Sequence, residues 1–103
     1  MSSPLPDDLA SAPGAVTRIM KIVNEKGLHA RASAKFVQTV EKFDATVRVS
    51  RNDENVGGDS IMGLMMLAAG IGTSITVTAI GREAQEVIAA LDALVSTRFG
   101  EDE

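Results

Sequence analysis

Apolar residues along this chain follow two rhythms, one of period two and one close to 3.6, separated by short polar or glycine-rich breaks. Residues 17–23 mix β-branched side chains with Arg18 and Lys21 and predict a first strand. From about residue 30 to residue 42, Phe36, Val37, Val40 and Phe43 recur at helical spacing, and Asp44 closes the run. Residues 45–50 alternate, with Val47 and Val49 on one side and Thr46, Arg48 and Ser50 on the other. The polar stretch Asn52-Asp53-Glu54-Asn55 predicts a hairpin turn, followed by a short strand near Val56 that Gly57-Gly58 breaks. Residues 61–69 form a short apolar helix stopped by Gly70 and Gly72. Alternation returns at 74–80, where Ile75, Val77 and Ala79 oppose Thr76 and Thr78. A last helix over about 82–98 buries Ala84, Val87, Ile88, Leu91 and Leu94, with Glu83 and Glu86 placed to suit its dipole.

The predicted order is β-α-β-β-α-β-α. Amphipathic helices and half-buried strands in that order require a two-layer α+β domain, with helices covering one face of an antiparallel sheet. A ferredoxin-like sandwich shares much of this order, so the pattern leaves the exact topology open. There are no internal repeats. All three prolines lie among Ser, Ala and Asp within the first thirteen residues, so residues 1–15 read as a flexible N-terminal tail. Residues 16–99 form the folded domain and 100–103 an acidic C-terminal tail.

Composition narrows the setting. With 103 residues the chain is one domain, long enough to bury roughly two thirds of its unfolded surface. The absence of cysteine removes disulfide and thiol chemistry and suits a reducing compartment. No stretch is long enough for a membrane span, and the N-terminus lacks the basic and apolar regions of a signal peptide, so the expected location is the cytoplasm. The net charge of −4 is carried by the tails: Asp7, Asp8, Glu101, Asp102 and Glu103 leave the rest of the chain at about +1. An acidic chain with three Phe, no Tyr and no Trp lacks the basic, stacking surface that nucleic acid needs.

The chemistry concentrates at His29, the only histidine. A strand-like segment stops at Gly27 and a helical pattern begins just after His29, which puts an imidazole at a helix N-terminus. Free N–H groups and the macrodipole favour an anion there. Arg31 adds a forked cation that matches phosphate oxygens, and Lys26 and Lys35 add charge nearby. A lone loop histidine is most often a solvated surface residue. A metal site is disfavoured, because one His and no Cys make a poor ligand set, and no nucleophile elbow suggests a serine hydrolase. The arrangement reads as a histidine that carries a phosphoryl group, with no cofactor and no metal.

A second constellation begins at Ser60, which precedes an apolar run as an N-cap does. The six apolar residues Ile61, Met62, Leu64, Met65, Met66 and Leu67 cannot all face inward from so short a helix. Leu64 and Leu67 are the better core candidates, leaving Ile61, Met62 and Met65 as an exposed patch that could dock a partner protein.

The run Gly27-Leu28-His29-Ala30-Arg31-Ala32-Ser33 resembles the active-site signature of the HPr family, the histidine phosphocarriers of the bacterial phosphotransferase system. The run Asp59-Ser60-Ile61-Met62-Gly63-Leu64-Met65 resembles the regulatory-serine segment of the same family, at the fitting distance, and the likeness spans residues 16–99. The resemblance implies an open-faced sandwich with strand order 1-4-2-3 and three helices on one face. It implies phosphorylation of His29 at Nδ1 by enzyme I, assistance from Arg31, onward transfer to an enzyme IIA-type protein, and regulation at Ser60 by a serine kinase/phosphorylase. It also favours partner docking at Ile61, Met62 and Met65, and makes the protein a stoichiometric carrier rather than an enzyme, in sugar uptake or nitrogen-related regulation. Two positions depart from the pattern. Ala32 stands where proline is usual, at no expected loss to the helix, and Asp59 stands where lysine often precedes the serine, which bears on kinase recognition. The long tail and Ala32 lean towards the nitrogen-related branch. The alternative is a small α+β regulatory binding module acting through protein interaction and Ser60.

Overall fold

A computed structural model describes residues 13–101. Four antiparallel strands form one sheet in the order β1-β4-β2-β3: β1 (Val16–Lys21), β2 (Thr46–Arg51), β3 (Glu54–Gly57) and β4 (Ser74–Ile80). The chain order is β1, α1 (Ala30–Val40), β2, β3, α2 (Ile61–Met66), β4, α3 (Ala84–Ser96), and a final 3₁₀ turn at Arg98–Gly100. This is the open-faced sandwich with order 1-4-2-3, not a ferredoxin-like arrangement.

Strand register explains the layers. Met20 pairs with Ile75, and Val77 lies between Arg18 and Val49, so the apolar sets of β1, β4 and β2 share the helix-facing side. Met20, Val47, Val49, Ile75, Val77 and Ala79 are buried there against Phe36, Leu64, Val87, Ile88, Leu91 and Phe99 from the helical layer. On the same side Arg18 reaches over to Asp92 on α3 at 3.3 Å. The opposite face carries hydroxyls, with Thr17 and Thr78 in contact at 3.1 Å.

Element ends differ from the periodicity in informative ways. Arg51 pairs directly with Glu54, so the hairpin turn shrinks to Asn52-Asp53, with Asn52 accepting a left-handed φ of 56°. Helix α2 ends with its C-cap at Leu67, before the glycines expected to stop it, because Ala68 turns left-handed at φ 52°. That turn lets both Leu67 and Ala69 bury. Glu86 falls in the first turn of α3 as expected, and Glu83 is the N-cap residue, with no side-chain cap bond. Its carboxylate accepts the Asp44 N–H at 2.8 Å while its own N–H donates to Asp44 O at 2.9 Å, tying α3 to the start of β2. Leu94 is only partly buried, and Val95 takes the core position one turn after Leu91.

The boundary expected after Phe99 also moves. Phe99 is 1% exposed, Gly100 belongs to the final turn, and Glu101 is packed against the body of the domain, so neither residue is tail. Residues 1–12, where most of the expected N-terminal tail falls, and Asp102 and Glu103 lie outside the described residues.

Phe99 anchors the end of the chain in the core from a strained backbone, at φ 56°. Phe99→Ala should lower unfolding stability by about 3–5 kcal/mol, the usual cost of truncating a buried phenylalanine. Urea or thermal unfolding of the two proteins measures it.

Candidate phosphoryl-acceptor site

The loop carrying His29 is set by a close approach of two backbones. Gly27 has φ +67°, and a Cβ there would stand 2.3 Å from Ala69 O. With no side chain in the way, Leu28 N–H donates to Ala69 O at 3.0 Å, and the Leu28 side chain is buried. Ser33, wholly buried on the first turn of α1, returns its hydroxyl to Leu28 O at 3.2 Å. The loop is therefore clamped from α2's end and from α1.

His29 is the N-cap of α1 in extended backbone, and it supplies no side-chain cap. The first helical bond runs from Ser33 N–H to His29 O at 2.8 Å. The N–H groups of Ala30, Arg31 and Ala32 precede it and have no carbonyl a turn below. No acidic residue lies in that first turn, so the positive end of the dipole is not offset from within the helix. Ala32 is buried and its N–H is one of these three, so alanine in place of proline changes no helix bond.

Lys26, His29, Ala30, Arg31, Lys35, Gly100 and Glu101 line a recess of about 560 Å³. The expected cluster of His29, Arg31, Lys26 and Lys35 thus does come together. Lys35 is partly engaged, because its Nζ donates to Phe99 O at 2.6 Å.

Two further residues had no signal in the sequence. Glu101 places Oε2 2.6 Å from His29 Nε2, with the carboxylate side chain 12% exposed. Its other oxygen accepts from Asn24 Nδ2 at 3.1 Å, and the same amide donates to Gly27 O at 2.9 Å. Asn24 is fully buried. Glu101 lies 72 residues from His29, and charge patterning put it among tail residues. A polar residue such as Asn24 between a strand and a motif has no periodicity to betray its burial.

Burial alone would raise the Glu101 pKa. The hydrogen bonds from His29 and Asn24, together with the charges of His29 and Lys35, outweigh that and hold the carboxyl below its ordinary 4.5.

Ser60 caps α2: its Oγ accepts Gly63 N–H at 2.9 Å. Leu64 and Leu67 are buried, while Ile61, Met62, Met65 and Met66 are exposed. Met65 also lies beside His29, across a shallow recess lined by Lys26, Leu28 and residues 68–70. Among the described residues no group of three or more His, Cys, Asp or Glu could hold a metal ion, and no helix is long and apolar enough to cross a membrane.

A nucleophilic ring at a bare helix start, beside a guanidinium and open to solvent, can take up a phosphoryl group; the fold and site are those of a histidine-based phosphoryl carrier. Comparison with known proteins agrees. The family described as "PTS HPr component phosphorylation site" matches residues 16–97. The phosphocarrier protein HPr of Cupriavidus necator is 52% identical over 82 residues, covering 80% of this chain and 92% of that protein. The phosphocarrier protein NPr of Shewanella violacea is 36% identical over 84 residues, covering 82% and 92%. A crystal structure of HPr from Thermoanaerobacter tengcongensis superimposes with a TM-score of 0.81 at 38% identity, covering 85% of this chain and 99% of that one. The chain belongs to the HPr family, the phosphocarriers of the phosphotransferase system.

The lowered pKa of Glu101 makes its contribution to stability depend on acid. Protons bind the unfolded carboxyl before the folded one, so the contribution is complete above about pH 4.5 and is lost as pH falls through the lower folded value. The gap in melting temperature between the wild type and Glu101→Gln should therefore be full from about pH 6 upward and close towards about pH 3. Scanning calorimetry across that range checks it.

Proposed function

We propose that this chain receives a phosphoryl group on Nδ1 of His29 from phosphorylated enzyme I and hands it to an enzyme IIA-type protein. The observation that carries this reading is the position of the imidazole. It belongs to the N-cap residue of a helix whose first three N–H groups are free, in a recess with Arg31, and a carboxylate takes its Nε2, leaving Nδ1 as the unblocked nitrogen.

The Nδ1 lone pair attacks phosphorus as the bond to the donor breaks in line. Charge then spreads over three equatorial oxygens, which Arg31 and the N–H groups of Ala30, Arg31 and Ala32 are placed to receive. Positioning and electrostatics suffice, because the transfer asks for no covalent chemistry beyond the exchange itself. The protein returns to its starting state only through its partners, so it acts as a stoichiometric carrier and not as an enzyme in its own right. Its greater likeness to the relative named HPr than to the one named NPr favours the HPr type over the nitrogen-related branch that Ala32 and the long tail suggested. A cytoplasmic location follows from the same reading.

The exposed methionines of α2 adjoin the acceptor. Met65 lies beside His29, and Ile61 and Met62 extend the apolar surface past Ser60. This surface supports docking of enzyme I and the IIA-type acceptor around the ring that is to be charged. Ser60, already a cap at the rim of that surface, is the position where a serine kinase/phosphorylase would act, although Asp59 alters the usual recognition sequence. The alternative of a regulatory module without a transfer role leaves the acceptor geometry of His29 without a purpose.

Incubation with phosphoenolpyruvate and enzyme I decides the central point. The wild type should gain one acid-labile phosphate and His29→Ala none, with its fold retained. Arg31→Lys keeps the charge but not the fork, so transfer should slow by about tenfold, the loss of one charge-assisted bond. Labelling of His29→Ala would move the acceptor elsewhere.

A phosphate mimic at Ser60 should act with opposite signs on stability and on association. Ser60→Asp keeps a cap and adds charge at the favourable end of a helix dipole, so the melting temperature should hold or rise. The same charge beside apolar docking contacts should weaken enzyme I binding and slow phosphorylation of His29. Ser60→Ala should lose about 1 kcal/mol of stability with near-normal transfer. Calorimetry and a transfer assay on both variants test the pair.

A further inference from the structure

Transfer through Nδ1 needs no carboxylate, yet one is delivered to the other ring nitrogen with considerable structural effort. Glu101 follows three successive residues with left-handed φ, Arg98 at 60°, Phe99 at 56° and Gly100 at 76°. Side-chain-bearing residues avoid that region unless their surroundings impose it. Here the buried Phe99 side chain, the Lys35 bond to Phe99 O and the Glu101 N–H bond to Arg98 O at 2.9 Å impose it. The carboxylate so presented is nearly buried and held at both oxygens, by His29 and by Asn24. Asn24 in turn grips the loop carrying His29 through Gly27 O, so ring and carboxylate are fixed in one frame.

We propose that Glu101 is a positioning residue that keeps a proton on Nε2 of His29 through the whole transfer cycle. The proposal rests on the reading of His29 as acceptor. An ionised carboxylate only accepts hydrogen bonds, so the proton in the 2.6 Å contact belongs to Nε2, and Nδ1 holds the lone pair. When Nδ1 bonds to phosphorus, the ring takes a positive charge and retains Nε2–H. The carboxylate compensates that charge. On discharge the N–P bond breaks, its electron pair returns to Nδ1, and the ring leaves as neutral imidazole with Nε2–H still in place. No proton enters or departs in either direction. Without the carboxylate the phosphorylated ring sheds its Nε2 proton more readily, and the leaving group becomes an imidazolate anion, a far poorer one.

The surroundings give no substitute. The charged side chains facing the ring from its own loop and from α1 are Lys26, Arg31 and Lys35, all cations, which oppose a charged ring. The α2 side offers Met65 and residues 68–70, with nothing that titrates. Among the described residues Glu101 is the anion on this ring.

The test charges the full-length wild type and Glu101→Gln with labelled phosphoenolpyruvate and enzyme I, then follows hydrolysis and transfer to a IIA-type acceptor from pH 6 to 10. The wild type should discharge at a steady rate up to a midpoint at alkaline pH. In Glu101→Gln that midpoint should move down by about one pH unit, the low end of the effect of an adjacent opposite charge. Transfer at pH values between the two midpoints should drop up to about tenfold. Long-range ¹H–¹⁵N spectra of His29 should show the Nε2–H tautomer in the uncharged wild type. Glu101→Asp, should Glu101→Gln fail to fold, retains the charge at longer reach and should give an intermediate midpoint. A lower melting temperature with an unchanged discharge profile would reduce Glu101 to a structural strap and overturn the proposal. Failure of the wild type to load phosphate at all would instead overturn the acceptor reading, and it would show before any profile is taken.

Discussion

The site hangs on a single steric allowance at Gly27. There the acceptor loop passes so close to the turn after α2 that any side chain would collide with the Ala69 carbonyl. Because the contact is permitted, Leu28 is drawn into the core with its N–H satisfied, and His29 is left at the rim as the N-cap of α1. A histidine one residue earlier would take the buried place of Leu28, and one residue later would belong to the helix itself and no longer be its N-cap. The same contact sets the ring beside α2, which is why an apolar surface and a phosphoryl acceptor share one side of the molecule.

A division of labour between the two ends of α1 follows. Its N-terminal turn is bare of acid and carries Arg31, while its middle carries the buried ridge of Phe36, Val37 and Val40 that fixes the helix on the sheet. Lys35 belongs to both. Its stem lies on the helix that bears the site, and its ammonium fastens the carbonyl of Phe99. The cation that sequence position assigns to phosphate is thus partly spent on holding the last turn of the chain, which leaves Arg31 as the more open of the two.

Most of the fold was legible because it rests on periodicity. The alternation of Val47 and Val49 and of Ile75, Val77 and Ala79, and the helical spacing from Phe36 to Val40, report directly which side is buried. What escaped were the places where tertiary packing overrides local preference. Ala68 adopts a glycine-like conformation so that two apolar neighbours can bury, and Gly70, which looked like the stop, is not where α2 ends. Phe99 looked like the last residue of a domain, although it is a core residue that carries Gly100 and Glu101 in with it. The site divides along the same line. His29, Arg31 and Ser60 are local features, readable from the dozen residues around them. Glu101 enters the site only through a contact across 72 positions and one across 77, which no local pattern encodes, and the local bond of Asn24 to Gly27 O leaves no periodic trace.

That long-range contact gives the site a built-in order of assembly. Helix α1 and Arg31 come from one stretch of chain, and the loop that seats His29 needs only the turn at Ala69 to hold it. The carboxylate arrives only when α3 has docked and the strained turn behind it has been forced into place by Phe99 and Lys35. A chain in which α3 and its closing turn were not docked would keep the cations near His29 in sequence but lack the carboxylate at Nε2. The contact at Nε2 of His29 is in this sense a mark of the completed fold, made only when the two ends of the domain have met.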